Sequence, residues 1–191
     1  MFLPFFRPLR QALINYSPSQ GSKTFIKSLQ MCSGTIPDGE SLIDITVSEY
    51  NPVISVPFLL GAEASLDDPR NHEVYCSFIN STTCRVSSHT SHHHVASTAP
   101  VFILEFDPAF VVSHQYSQIN FGADDVLATI EMDPVNLSKT ILFPRGNVST
   151  GDVAPTIYKA YSDFLNNTTI RARRNTSGAA VYYMYTVVEF I

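Results

Sequence analysis

Hydrophobic and polar positions alternate most tellingly at the end of the chain, in the stretch Gly178-Ala-Ala-Val-Tyr-Tyr-Met-Tyr-Thr-Val-Val-Glu-Phe-Ile191. On an extended strand Val181, Tyr183, Tyr185 and Val187 share one face, and Tyr182, Met184, Val188 and Phe190 share the other. Both faces are apolar, and nearly every residue is β-branched or aromatic, which suits a pleated surface packed on two sides. The pattern predicts a strand that is central in a sandwich or covered by a second chain.

Earlier segments carry the same period with turn residues between them. Leu42 to Val47 alternates, with Ile43, Ile45 and Val47 inward; Asn51-Pro52 interrupts, and Val53 to Val56 resumes before Pro57. His72 to Ile79 and Thr83 to Val86 read as a hairpin turning at Asn80-Ser81. Val101 to Phe106 is a strand closed by Asp107-Pro108, which Phe110 to Val112 extends. Asp125 to Met132 is closed by Asp133-Pro134, Lys139 to Phe143 by Pro144-Arg-Gly146, and Thr168 to Arg174 precedes the final strand. Residues 22–32 read as a strand or a short helix before a turn at Gly34 and Pro37-Asp-Gly39; residues 61–71 and 87–99 read as loops.

Two segments show a helical spacing instead. Leu9, Leu13 and Tyr16 fall on one side of two turns that end at Ser17-Pro18-Ser19, and Ile157, Ala160, Tyr161 and Phe164 share a face within Thr156–Leu165. The expected class is therefore all-β: an antiparallel β-sandwich, an eight-stranded jelly roll with one or two short helices. Residues 1–21 form an N-terminal arm and residues 22–191 a single domain, with no internal repeat expected.

Composition narrows the function. Only 15% of the 191 residues are charged, and the net charge is −5, so no global field draws the chain to nucleic acid. A neutral surface rich in Ser, Thr and Asn suits a molecule that packs against copies of itself, and equally an ordinary polar surface. No 18-residue apolar run and no secretory signal stand out, so the chain reads as soluble, with no membrane partner. Cys32, Cys76 and Cys84 match no zinc spacing; Cys76 and Cys84 flank the hairpin, either bonded across it or free. Asn-x-Ser/Thr sequons begin at Asn80, Asn136, Asn147, Asn166, Asn167 and Asn175.

Three clusters invite chemistry. His89, His92, His93 and His94 place imidazoles close enough for a metal, though without a nearby acid the plain reading is an exposed polar loop. Asp124, Asp125, Glu131 and Asp133 bracket one strand; calcium at a subunit border is one reading, solvated strand ends the other. Arg171, Arg173 and Arg174 form the one basic cluster, with Arg171 and Arg173 on a shared face that suits phosphate contact or a salt-bridged edge. No nucleophile elbow, phosphate loop or zinc-protease motif is present, and no enzymatic activity is expected.

The terminal stretch from Gly178 to Ile191 resembles the last strand of coat proteins of small icosahedral RNA viruses. Those coats often end a jelly roll on a Gly, aromatic or aliphatic, Tyr-Thr-Val-Glu-aliphatic sequence. The resemblance implies a capsid subunit that self-assembles into a shell around the genome, located in the virion after assembly in host cytoplasm. Its partners would be copies of itself, other coat subunits and, weakly, genomic RNA. In that setting Arg171, Arg173 and Arg174 would face RNA, Asp124, Asp125 and Asp133 would hold calcium at subunit borders, and the apolar Phe2, Phe5, Phe6, Leu9 and Leu13 of the arm would make subunit contacts. The chain departs from many such coats in its arm, where residues 1–30 hold only Arg7, Arg10, Lys23 and Lys27. The residues also admit a carbohydrate- or protein-binding β-sandwich, secreted and glycosylated, and more remotely a metal-dependent enzyme built on the His loop.

Overall fold

Extended backbone dominates, as the short alternating segments predict. The computed structural model describes residues 24–59, 63–64, 73–88, 97–149 and 160–191. Thirteen strands run through them: β1 (Ile26–Ile36), β2 (Leu42–Thr46), β3 (Ser55–Leu59), β4 (Glu63–Ala64), β5 (Val74–Asn80), β6 (Thr83–Ser88), β7 (Ser97–Phe106), β8 (Val111–Phe121), β9 (Leu127–Glu131), β10 (Thr140–Ser149), β11 (Ala160–Asn166), β12 (Thr169–Arg174) and β13 (Val181–Phe190). All pairings are antiparallel. One sheet has the order β1-β7-β3 with β4 also on β7, a second β2-β6-β5-β10-β13-β8, and a third β11-β12-β9. The expected antiparallel sandwich is the observed class; its strands number thirteen among the described residues rather than eight.

The order of elements repeats after about 85 residues. The series β1, β2, the 3-10 turn Pro52–Ile54, β3, β5, β6, β7 recurs as β8, β9, the 3-10 turn Leu137–Lys139, β10, β11, β12, β13. Pairing recurs with it: β7 lies between β1 and β3 as β13 lies between β8 and β10, and β6 lies between β2 and β5 as β12 lies between β9 and β11. So do individual bonds. The Glu105 carboxylate accepts from Ser28 Oγ (3.0 Å) and Asn51 N (3.3 Å); that of Glu189 accepts from Ser113 Oγ (3.4 Å) and Asn136 N (3.1 Å). Gln30 Nε2 donates to Ser48 O at 3.0 Å, and Gln115 Nε2 to Asp133 O at 3.2 Å. Asp107 N donates to Phe25 O as Ile191 N does to Phe110 O, which marks the ends of both copies. The chain is thus one module written twice, residues 25–107 and 110–191, and the expectation of no internal repeat is corrected. The period hides in the sequence because the shared residues are scattered polar ones, while core positions differ: Ala99 against Tyr183, Val101 against Tyr185, Cys84 against Ile170.

Each module buries its own core. In the first, Ile36, Val101 and Ile103 meet Ile45, Cys76, Cys84 and Val86; in the second, Phe121, Tyr185 and Val187 meet Ile170 and Ala172, with Ile130 at its margin. A third cluster joins the modules, where Val56 and Phe106 pack on Val188 and Phe190. The two faces of β13 therefore divide their work. Val181, Tyr183, Tyr185 and Val187 point into their own module, while Val188 and Phe190 point at the other. No second chain is needed to cover the strand.

The Pro-rich punctuation has a local cause. Asn51 Oδ1 accepts from Val53 N (3.1 Å) and Asp107 Oδ1 from Ala109 N (2.9 Å), each capping a 3-10 turn whose first residue is proline. Asn136 caps the turn after β9 in the same way, through Ser138 N at 3.1 Å. Elsewhere the expectations need correction. The helix expected over Thr156–Leu165 is strand β11 from Ala160 on; Ala160 and Phe164 share a face in either form, since a spacing of four fits both periods. Pro144 does not end its strand, because β10 bulges between Pro144 and Gly146 and carries on to Ser149. Strand β8 runs far past Val112; its Ser, His and Gln residues mask the period. The arm residues Phe2, Phe5, Phe6, Leu9 and Leu13, with the helix expected there, lie outside the described residues.

Candidate functional site

The basic cluster is split three ways by its neighbours. Arg171 and Arg173 do share a face of β12, but Arg171 forks onto Asp163, with Nε at 2.9 Å from Oδ1 and Nη2 on Oδ2. This pairing holds the Asp163 carboxyl below its usual range and raises the Arg171 guanidinium. Arg173 is exposed and lies 6.0 Å from the centre of the Tyr161 ring. Arg174 is a structural clamp and not an RNA-facing group, which corrects the expectation for it. It is buried over the Phe121 ring and donates to the main-chain oxygens of Gly122 (2.7 Å), Ala123 (3.1 Å), Asp125 (2.5 Å) and Ala179 (2.7 Å). Two loops are tied together through that one guanidinium.

The acids do not converge either. Asp125 closes its own turn by accepting from Gly122 N at 2.8 Å, Asp124 is exposed beside it, and Asp133 lies beyond the far end of β9, its amide bonded to Gln115 Oε1 at 2.9 Å. Among the described residues no group of three His, Cys, Asp or Glu side chains is placed to hold a metal, so the calcium expectation for Asp124, Asp125 and Asp133 has no cage behind it. His89, His92, His93 and His94 lie outside the described residues. Cys76 stands opposite Val86 and Cys84 opposite Phe78, so the two thiols are diagonal neighbours and remain free, as does Cys32. Burial pushes the Cys84 thiol up to about 12 and that of Cys76 well above its usual value.

Several sequons are turn chemistry. Asn80 Oδ1 accepts from both the amide and the hydroxyl of Thr82, Asn136 from those of Ser138, and Asn166 from those of Thr168. An Asn followed two residues later by a hydroxyl is what such a turn requires. Asn147 differs: its Nδ2 is buried, out of reach of any modifying enzyme while the fold stands.

Two features missed in the sequence dominate the geometry. The first is the seam between modules. Strand β5 of module one meets β10 of module two at Tyr75 and Gly146, where glycine (φ +115°) is required because a Cβ would stand 2.1 Å from Val74 O. Next to it Arg145 is buried, donating to Tyr185 O (3.2 Å) and Cys76 O (3.5 Å), with Tyr116 stacked 4.7 Å from its guanidinium carbon. The turn of module one lies across β8: Tyr116 OH donates to Pro52 O at 3.2 Å, and His114 Nε2 sits 2.8 Å from Ser55 O. Burial lowers the His114 pKa and keeps the ring neutral. A matching pair of short sequences, Ile103-Leu-Glu-Phe106 and Val187-Val-Glu-Phe190, is the signal that points to the twin modules.

The second is a cavity of about 330 Å³ inside module two, bounded by Leu142, Asn147, Ala160, Ser162, Tyr183 and Tyr185. Asn147 Nδ2 is buried there without a hydrogen-bond partner among the described residues, Tyr183 OH faces the Ala160 main chain, and Ser162 Oγ and Tyr185 OH bond each other. Burial raises both phenols, so they stay protonated at neutral pH. In module one the matching positions are Cys76, Ala99 and Val101, all fully buried in its core, so among the described residues this polar lining is particular to the second module. Comparison with known proteins gave no matching family model, no matching curated protein and no matching solved structure.

Proposed function

We propose that the chain is a structural subunit that works by binding copies of itself, in the manner of a viral coat protein. The observation that supports this reading is the seam. One module binds its twin through a sheet edge and an apolar face, so the building block is already complementary to itself. The low charge and the terminal strand's resemblance to coat proteins agree with it. In such a role Arg174 serves the fold, and Arg173 is the member of the basic cluster left open to a phosphate. Sedimentation velocity with negative-stain microscopy tests the proposal, with the ratio of absorbance at 260 and 280 nm recorded on any particle. Uniform closed particles are expected; a monomer at every concentration and pH from about 5 to 8 overturns it.

A second reading, a binding module, is favoured by the cavity. The buried Asn147 Nδ2, stacked tyrosine rings and a lining with no charged side chain among the described residues suit a small neutral ligand with hydroxyl or carbonyl groups, such as a sugar. Saturation-transfer NMR against monosaccharides should then show contacts that vanish in Tyr183→Phe. Absence of any transfer at millimolar sugar removes this reading.

A further inference from the structure

Most strand edges in the molecule are covered within the chain. The three sheets end on β1 and β3, on β2 and β8, and on β9 and β11. In module one β1 lies against β2, and Gln30 ties it to Ser48 O just past that strand. In module two β8 lies against β9, and Gln115 bonds the main chain of Asp133 through both Oε1 and Nε2. Strand β3 lies against β5 and β10, with Ser55, Val56 and Pro57 buried and Ser55 O met by His114 Nε2. That leaves β11. Among the described residues it pairs with β12 on one side, and no strand lies along the other.

The same edge is occupied in the twin module. Strand β5 has β6 on one side and β10 of the other module on the other, where Tyr75 meets Gly146 and is half-buried. Tyr161 holds the matching place on β11 and is 60% exposed, with Leu165 further along at 50%. An open row of main-chain N–H and C=O groups is a template for another strand, and folded proteins commonly block it with lysine or proline. Strand β11, Ala160–Asn166, contains neither. Its one charge, Asp163, is bonded by Arg171, and its one irregularity, a bulge between Phe164 and Asn166, falls at the end.

The strand also suits a copy of itself. Turned antiparallel about Asp163, its middle residue, it overlaps a second β11 along its whole length, with Tyr161 opposite Leu165 of the second copy and Leu165 opposite its Tyr161. Each Asp163 that meets at the axis arrives with an Arg171 already forked onto it, so no unpaired charges are brought together. We propose that two chains pair edge to edge through β11, joining β9-β12-β11 of one to β11-β12-β9 of the other as one continuous sheet. The inference rests on the self-assembly reading and names one of its surfaces. The contact is isologous and closes on itself, so it supplies a dimer from which a larger assembly would be built.

Sedimentation velocity and hydrogen exchange test it together. The wild type should form a reversible dimer of the 21.2 kDa chain, and the amides of residues 160–166 should exchange more slowly as concentration rises. Tyr161→Glu and Leu165→Lys, both at exposed sites, should keep the wild-type urea midpoint. Each variant alone should dimerise about tenfold more weakly, because both Tyr–Leu pairs across the axis are lost. Mixed, the two variants should dimerise nearly as well as the wild type, since one opposite-charge pair and one native pair then face each other. Damage to the fold could not produce that recovery. Variants that dimerise like the wild type, a mixture no stronger than its parts, or association that leaves exchange in residues 160–166 unchanged overturns this contact while leaving self-assembly in place. A wild type that stays monomeric overturns both.

Discussion

Replacing Gly146 by alanine should rupture the seam, and a second glycine separates the causes. Gly39 has φ +79° and nothing within 4 Å of the point where a Cβ would stand, so Gly39→Ala reports backbone strain alone, about 1–2 kcal/mol. Gly146 adds a collision to a similar strain: its new Cβ would stand 2.1 Å from Val74 O and 2.7 Å from Tyr75 Cα. Those are main-chain atoms, so relief requires moving β5 away by roughly an ångström, given that non-bonded carbon atoms rest about 3.5–4.0 Å apart. That motion stretches the bonds across the seam, Arg145 Nη1 to Cys76 O (3.5 Å) and Ser149 N to the Glu73 carboxylate (2.6 Å). Hydrogen bonds to charged groups contribute about 1.5–3 kcal/mol each, and the first of these is long enough to count at the low end. Strain and lost bonds together come to about 4–6.5 kcal/mol. Urea unfolding followed by far-ultraviolet circular dichroism should show Gly146→Ala shifted by about 2–3 M for a slope near 2 kcal/mol/M, against about 0.5–1 M for Gly39→Ala. Equal shifts for the two variants would refute the claim that β5 and β10 are pressed together at this glycine.

Arg174→Ala should destabilise by about 3–5 kcal/mol in urea, since four main-chain oxygens lose their donor, while Arg173→Ala should stay within about 0.5 kcal/mol. Acid titration of stability should expose the Asp163–Arg171 pair. The folded carboxyl is held below the unfolded value of about 3.9, so its contribution is present above that pH and is lost as pH falls through the folded value. Asp163→Asn should therefore flatten the fall of the urea midpoint below about pH 4, and an unchanged acid limb would count against the pair. Thiol titration with a disulfide reagent at about pH 8 should find Cys32 slow and Cys76 and Cys84 silent until urea is added, because burial holds all three as thiols.

Strands are legible in the sequence where one face is wholly apolar, as in Leu42 to Val47 and Val181 to Phe190. The hairpin at Asn80 and the Asn-Pro and Asp-Pro turns are legible because their chemistry is local. Strand β8 is not, since Ser113, His114, Gln115 and Gln118 bond to polar partners instead of alternating with apolar residues. The helix expected over Thr156–Leu165 shows how a spacing of four residues satisfies two periods at once. The duplication is hidden for a different reason. Its shared residues, Ser28 with Ser113, Gln30 with Gln115 and Glu105 with Glu189, hold turns and strand ends, where the bonding demand is specific. The cores tolerate any apolar filling of about the right volume, so their residues differ between the two modules. Of the predicted site residues, the sequence placed Arg171 and Arg173 on one face. It had no means of showing that Arg174 is buried or that Asp125 is occupied with its own turn.

The short connection between the modules, Asp107 to Phe110, sets how the seam responds to dilution. Joining partners by a few residues gives an effective concentration on the order of millimolar or more. The seam inside the chain therefore stays closed however dilute the protein. Neither module waits for a partner to diffuse in, so this contact forms once per chain and at a rate that owes nothing to how many copies surround it.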